Sequence, residues 1–362
     1  MAEIISIGTA LPTYCHKQKD IIRFMANVYA LDETETRKLS FLYNHSSIEY
    51  RYSVIDDFSL PEEDWDFIPH NDEKHVPTLD DRMKIFEREA LPLSIDAVKK
   101  CLNGIIHPNE ITHLITVTCT GMSAPGLDLQ IAEALNLSPA TFRTSVNFMG
   151  CYAAIHALKL AKLLCDSTSN ANILIVDTEL CTIHFQKEYT PDNAASSLLF
   201  ADGSAAVLIS NKVRSPQSVS IDGFYSLVER KGKKDMAWEL SSKGFLMTLS
   251  GYVPQLIEED IASLVTASLE HHHVNKNDIT HWCIHPGGKK ILEVIEQKLK
   301  LQKDDLCFSR KVLQAYGNMS SPTILFVLKE MWNKIQNGAN IFGIAFGPGL
   351  TMETFLASKR CT

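Results

Sequence analysis

The chain has 362 residues, 45% hydrophobic and 22% charged, with a formal net charge of −8. That length allows two core-forming halves, the composition is that of an ordinary soluble globular protein, and the negative charge argues against nucleic acid as a main partner. No apolar run approaches the ~18 residues of a membrane span, and Met1-Ala2-Glu3-Ile4 lacks the basic-then-apolar order of a leader peptide.

Strand-like and helix-like runs alternate along the chain. Residues 4–7 read as a strand, and 61–81, rich in Pro, Asp and Glu, as a surface excursion. The pattern then predicts helix over 83–102, strand over 114–118, helix over 127–135, helix over 152–164, and strands over 173–176 and 205–209. A polar connection follows at 211–218. Beyond it come strands over 219–224, 279–284, 341–346 and 351–357, with helices over 254–270, 289–299 and 322–331. This is an α/β pattern. It divides into a first half, 1–210, and a second, 211–362, each with four strand-like runs. His271-His272-His273 falls at the end of a charged helical run and reads as an exposed helix end, not a metal site. The nine cysteines are odd in number and show no C-x-x-C spacing. They suggest neither a zinc site nor a disulfide framework, and they suit a reducing cytoplasm.

The chemistry lies in three short segments, Val146-Asn147-Phe148-Met149-Gly150-Cys151-Tyr152-Ala153-Ala154, Trp282-Cys283-Ile284-His285-Pro286-Gly287-Gly288 and Tyr316-Gly317-Asn318-Met319-Ser320-Ser321. Cys151 follows a turn-capable glycine and opens a helical stretch. The positive end of a helix dipole and a nearby imidazole are expected to favour its thiolate, the form that accepts an acyl group. His285 ends a buried strand, and Asn318 sits in a glycine turn before a helix. N–H groups from both, on one side of a pocket, can hold a thioester oxygen as it becomes an enolate. A lone cysteine is more often a small buried hydrophobe; the joint pattern makes this one a nucleophile.

At these residues the sequence resembles the type III polyketide synthases, the chalcone synthase group. Leu199-Phe200-Ala201-Asp202-Gly203-Ser204-Ala205-Ala206, Phe346-Gly347-Pro348-Gly349-Leu350-Thr351 and Glu179 extend the likeness. It is dense from about Thr116 onward and thinner before, where 5–12 and Arg51-Tyr52 agree best. The resemblance implies a thiolase-like αβαβα fold of two related halves. It also implies a Cys151–His285–Asn318 triad, a gatekeeper at Phe200, and a twofold homodimer to which the small-residue segment 120–126 would contribute. Ala124 stands where the family has a Met that crosses to the partner. Aligning outward from the motifs places Cys119, Cys181, His184, Ser196, Trp238, Met247 and Ser320 around the cavity. Lys38, Phe41 and His45 fall where the family grips CoA phosphates, and Arg51 is grouped with them. The implied substrates are malonyl-CoA and an acyl starter, carried on CoA or on an acyl carrier protein. No metal or redox cofactor is expected. Two rival readings are a ketoacyl-carrier-protein synthase III that condenses once, and a catalytically silent protein of the same fold. Met319-Ser320-Ser321, the 347–350 loop and the intact triad favour the polyketide synthase.

Overall fold

The computed structural model describes residues 1–68 and 76–360. The first half runs β1 (Glu3–Ala10), β2 (Tyr14–Lys17), α1 (Gln18–Val28), α2 (Glu33–Asn44), β3 (Tyr50–Ser53), α3 (Leu79–Leu102), β4 (His113–Thr118) and α4 (Leu127–Ala134). It continues with β5 (Phe142–Asn147), α5 (Ala153–Ser167), β6 (Asn172–Leu180), α6 (Pro191–Leu199) and β7 (Asp202–Ser210). The second half comprises β8 (Val219–Val228), β9 (Met236–Ser241), β10 (Gly244–Leu249), α7 (Val253–His271), β11 (His281–Ile284) and α8 (Lys289–Lys298). Then come α9 (Cys307–Tyr316), α10 (Pro322–Met331), β12 (Asn340–Gly347) and β13 (Thr351–Ser358).

Nine strands form a mixed sheet in the order β11-β12-β13-β8-β1-β7-β6-β4-β5. The halves join where β1 pairs antiparallel with β8, Glu3 opposite Ser220 and Ile4 opposite Val219. The connection between β7 and β8 is a built corner. Asn211 donates from Nδ2 to the carbonyls of Cys165 and Thr168 at 2.7 Å each, and its Oδ1 accepts from the Ala171 N–H.

Alternating strand residues sort into different cores, as the period of two requires. Ile115, Val117, Ile173 and Ile175 from the first half meet Cys283, Ile341, Ala345 and Phe355 from the second around α5 and α10. Leu114, Leu174 and Val176 face the other way, onto α3. Trp282, Ile284, Phe342 and Ile344 face outward onto α7 and α8. The resulting order is helix, sheet, helix, sheet, helix, with α5 and α10 in the middle layer and buried at nearly every residue of α10. This is the thiolase-like αβαβα arrangement.

Two expectations change here. Residues 61–81 are not a plain surface excursion. Trp65, Phe67 and Ile68 are buried in the first-half core, and Asp57 anchors them by accepting from the N–H groups of Asp66, Phe67 and Ile68. Residues 69–75 of that stretch lie outside the described residues. At its far end Thr78 and Asp81 form a reciprocal cap, so α3 starts at Leu79, four residues before the predicted 83. His271 does close α7.

Candidate active site

Five residues separate β5 from α5, and they reverse the chain sharply. Phe148 and Gly150 both take left-handed backbone, with φ of 60° and 85°. Gly150 also permits close contact with the 347–350 loop: a Cβ there would stand 2.4 Å from Pro348 Cδ. Cys151 is thereby held at the mouth of the middle layer, just before α5 begins.

His285 follows β11. Its N–H donates to Ile344 O at 2.9 Å, continuing the parallel β11–β12 ladder by one residue before Pro286-Gly287-Gly288 turns into α8. Asn318 lies between α9 and α10, after Gly317 at φ 72°. A backbone bridge ties it to the first half: the Asn318 N–H donates to Leu199 O, and the Ala201 N–H donates to Asn318 O, both at 2.9 Å. Its side-chain orientation follows from its partners. Oδ1 accepts from the Ser320 N–H at 2.8 Å and from Thr323 Oγ1 at 3.5 Å. Nδ2 therefore points the other way, donating to Gly287 O at a long 3.4 Å. Gly287 also borders His285, since a Cβ built on it would lie 3.7 Å from Nε2. The Asn318 amide and the imidazole thus flank the same turn.

Cys151, His285 and Asn318 all line one cavity. So do every one of Phe200, Met247, Cys119, Cys181, His184, Ser196, Trp238 and Ser320. The cavity holds about 1080 Å³ of atom-free space, including its open mouth. Residues that sequence reasoning did not single out complete it, among them Phe58, Phe185, Met236, Phe245, Leu249 and Ile291. Most of these walls are apolar. The β9–β10 hairpin supplies five of the lining side chains, Met236, Trp238, Phe245, Met247 and Leu249. Trp238 pairs with Met247 and Met236 with Leu249 across the hairpin, which puts them on one face. That face could have been read from the period-two spacing of Met236 and Trp238 against Phe245, Met247 and Leu249.

The hairpin is fastened by specific polar contacts. Trp238 Nε1 donates to Cys119 O at 2.7 Å. His184 Nε2 meets Thr120 O at 2.7 Å, so that nitrogen carries the hydrogen, and Nδ1 accepts from the Phe245 N–H at 3.1 Å. The ring stacks on Phe245 with centroids 4.3 Å apart and meets Trp238 edge-on. Burial lowers the His184 pKa to about 3, which fits a neutral tautomer bonded on both sides.

Cys119, Cys151 and Ser320 form a close group: Ser320 Oγ is 3.6 Å from both sulfurs. Behind them lies Glu179. Its carboxylate accepts from the Cys119 N–H at 3.0 Å, Thr120 Oγ1 at 2.7 Å, Thr118 Oγ1 at 3.3 Å and Cys119 Sγ at 3.0 Å. Burial nevertheless raises its pKa, as it does for neighbouring Asp177, whose carboxylate accepts from Ser321 Oγ.

The resting nucleophile differs from the sequence expectation. Burial pushes the Cys151 thiol up to about 12, with the Ser320 hydrogen bond opposing and the charges of Glu179 and Asp177 adding to it. Burial lowers the His285 imidazole to about 3, and neither of its ring nitrogens has a hydrogen-bond partner among the described residues. Thiol and imidazole are both neutral and not bonded to each other. Removal from water outweighs the helix-end effect, because Cys151 precedes the first residue of α5 by two positions and the dipole acts mainly within the end turn.

Of the three residues grouped for CoA binding, Lys38 and His45 belong to α2 and its C-terminal cap, and Arg51 to β3. Arg51 is inside the protein. Nη1 donates to Phe200 O at 2.7 Å, Nε donates to Gln18 Oε1 at 3.1 Å, and the side chain packs across Gly317. Its guanidinium braces the gatekeeper segment, and the residue also lines the cavity. Lys38 is exposed on α2 and pairs with Glu35 at 2.6 Å. His45 caps α2, with Nδ1 bonded to Phe41 O and its ring against Phe41. Neither Lys38 nor His45 lines the cavity.

No helix among the described residues is long and apolar enough to cross a membrane. Residues 1–212 match the N-terminal domain of chalcone and stilbene synthases, and residues 227–359 match the C-terminal domain. Among solved structures the chain is similar to PKS-I from the brown alga Ectocarpus siliculosus, with 26% identity over 99% of this chain and 98% of that one and a TM-score of 0.90. It is also similar to the C-terminal type III polyketide synthase domain of Steely1, a type I/III hybrid from Dictyostelium, with 27% identity over 99% of each chain and a TM-score of 0.91. A fungal type III polyketide synthase, ORAS, shares the fold at 24% identity and a TM-score of 0.86, over 99% of this chain and 100% of its own. This chain belongs to the chalcone and stilbene synthase family, and it is a type III polyketide synthase.

Proposed function

We propose that the chain is a decarboxylating acyltransferase in which Cys151 carries the acyl group and His285 and Asn318 handle the enolate. One observation carries this reading. Three buried side chains open on a single cavity, and His285 reserves both ring nitrogens for something other than protein. A starter thioester enters, and Cys151 Sγ attacks its carbonyl as His285 takes the thiol proton. The departing CoA thiolate recovers that proton and leaves as CoA. Burial favours this return, because it disfavours a charged imidazole.

His285 is then neutral again, with one N–H to donate. Malonyl-CoA places its thioester oxygen against that N–H and the free hydrogen of Asn318 Nδ2. Loss of carbon dioxide leaves its bonding electrons on the thioester as an enolate. The enolate carbon attacks the Cys151 thioester, expels the thiolate and forms a ketoacyl-CoA two carbons longer. Transfer back to Cys151 permits another round, and ring closure is proposed to end the sequence. The mainly apolar walls favour loss of the charged carboxylate and suit a poorly hydrated starter.

The proposed unit is a twofold homodimer. Support comes from β5, one of the two edge strands, which among the described residues pairs only with β4 and carries the exposed Phe142. Met122, also exposed, lies in the 120–126 segment. A cytoplasmic setting is proposed because the described cysteines are all free. The decisive experiment incubates the purified protein with malonyl-CoA, with and without acyl-CoA starters, and follows products by mass spectrometry. Carbon dioxide release with extended products is the expected result; neither being formed would end the proposal.

A further inference from the structure

Arg82, in the first turn of α3, is a cation that the fold buries completely, with 0% exposure. Burial lowers its pKa to about 10, so it still carries its charge at neutral pH. Nε donates to Pro77 O at 3.1 Å, and Nη1 donates to Ile183 O. The Phe67 ring faces the guanidinium, with Cζ 5.4 Å from the ring centroid. Both hydrogen-bond partners are neutral carbonyls, and Nη2 has no partner among the described residues. A buried charge held in this way is weak evidence for stability. Its geometry is more telling, because a planar fork joins two segments that a single point donor would not reach together.

Those contacts lie behind the aromatic wall of the cavity. Ile183 precedes His184 in the short helical turn Cys181–His184, and Gly244 precedes Phe245 in β10. His184 and Phe245 are the stacked pair that lines the cavity. A Cβ on Gly244 would stand 2.7 Å from Arg82 Cδ, so the side chain bears directly on that strand. The Leu79 N–H donates to Ser242 O at 3.0 Å, in the turn of the same hairpin. One helical turn further on, Phe86 packs on Gly121, where a Cβ would lie 2.2 Å from the ring. Gly121 follows Thr120, whose carbonyl takes the His184 Nε2 hydrogen. The first two turns of α3 therefore back both ends of the His184 latch. Arg82 itself does not line the cavity.

We propose that Arg82 is a positioning residue that fixes, from behind the wall, how far the His184–Phe245 pair stands into the cavity, and so the length of starter chain that fits. The proposal rests on the acyl-transfer reading above. A starter held at Cys151 must place its chain within the same walls. Close-packed interiors transmit a displacement from one layer to the next. With the guanidinium in place, Ile183 and Gly244 cannot retreat towards α3. Without it, space opens behind both, and the two rings can settle back and deepen the cavity. An apolar side chain of similar volume would fill the same space without an unpaired polar atom, so what the guanidinium adds is the fork.

The test measures kcat/KM of the full chain for straight-chain acyl-CoA starters of increasing length, with malonyl-CoA as extender. The quantity read is the ratio of a long starter to acetyl-CoA. In Arg82→Ala it should rise roughly tenfold or more for chains that the parent handles poorly, since each methylene withdrawn from water contributes about fourfold. A loss of folded enzyme lowers both numbers together and leaves the ratio unchanged, so a merely structural role does not move it. Arg82→Lys keeps the charge and the stem but has one nitrogen for two carbonyls. Its ratio should rise in the same direction by about fourfold, and it carries the test should Arg82→Ala not fold. A ratio that stays at the parent value, or falls, in either variant that folds overturns the proposal. If the parent extends no starter, the acyl-transfer reading fails, and labelling of Cys151 by alkyl methanethiosulfonates of increasing chain length, read by peptide mass spectrometry, decides this inference alone. Longer alkyl groups reaching Cys151 in the variant support it; an identical length limit overturns it.

Discussion

Glu179 and His285 are both buried and ionisable, one bonded behind Cys119 and the other lining the cavity, yet the protein treats them in opposite ways. Glu179 is surrounded by donors: a backbone N–H, two threonine hydroxyls and a thiol. His285 has no partner on either nitrogen. A buried polar atom left unpaired costs about 1–3 kcal/mol, and because His285 lines the cavity a bound substrate is placed to pair it. The comparison separates two kinds of buried polar residue. One is satisfied by the protein and holds the wall together. The other is left for the substrate to satisfy.

The largest effect expected is at the nucleophile these residues surround. Cys151→Ala should abolish polyketide formation, while Cys165→Ala and Cys283→Ala keep most of it. Both of those thiols are buried in the middle core layer, and neither lines the cavity. Peptide mass spectrometry of enzyme quenched during turnover should find the acyl group on Cys151. An acyl group on another cysteine would contradict the assignment.

Next in size is a paired experiment that can break the comparison outright. Asn318→Ala removes a donor from the substrate-facing side. Malonyl-CoA decarboxylation should slow by roughly 10²–10³, with a stability loss of only about 1 kcal/mol from the lost Ser320 and Thr323 contacts. Glu179→Gln does the reverse. It turns one acceptor into a donor facing N–H and O–H groups, and should lower unfolding stability by about 2–4 kcal/mol. The remaining folded enzyme should decarboxylate within about tenfold of the parent, because Glu179 lies behind Cys119 and not beside the proposed enolate. Chemical denaturation and a decarboxylation assay on the same samples give both axes. If Asn318→Ala unfolds the protein, or Glu179→Gln alone silences it, the division is mistaken.

Much of the site was legible because its chemistry sits in short contiguous motifs. Gly150-Cys151, His285-Pro286-Gly287-Gly288 and Gly317-Asn318 each carry their own turn residues, and these strongly hydrophobic or glycine-marked stretches also set most element boundaries. What was hidden is tertiary. By sequence, Arg51 is grouped with the CoA-phosphate residues. Its burial depends on a carbonyl at Phe200 and a bare glycine at 317, which meet it only in the folded chain. The protonation state of Cys151 was hidden for the same reason, since burial is not written in neighbouring residues. Strand β5 was missed because Phe142-Arg143-Thr144-Ser145-Val146-Asn147 has a polar, half-exposed pattern typical of an edge. The hairpin β9–β10 was missed although Trp238 and Met247 were placed in the cavity by alignment. Its period-two spacing was there to be read, but each strand is only six residues long.

The smallest effect, and the sharpest probe of the satisfied class, is at His184. Like Glu179 it is bonded on every side, but its state is set by a single proton. In the folded protein its pKa is lowered to about 3 by burial, against an ordinary value of 6.5. Between those values the unfolded chain binds a proton that the native ring excludes. Its contribution is therefore complete above pH 6.5 and erodes as pH falls towards 3. Protonation would also set an N–H at Nδ1 against the Phe245 N–H and unfasten the hairpin. Gln at this position can donate to Thr120 O and accept from Phe245 without titrating. His184→Gln should therefore lose some stability at pH 7.5, where the stacking on Phe245 is missing. On moving to pH 5 that deficit should shrink by about 2 kcal/mol. Using the difference between parent and variant removes the opposite contributions of Asp177 and Glu179, whose raised pKa values favour the native state as pH falls. Denaturant titrations of both proteins at the two pH values measure it. A deficit that stays constant from pH 7.5 to 5 would mean that His184 is protonated in the native cavity, and the two-sided latch read from its bonds would not stand.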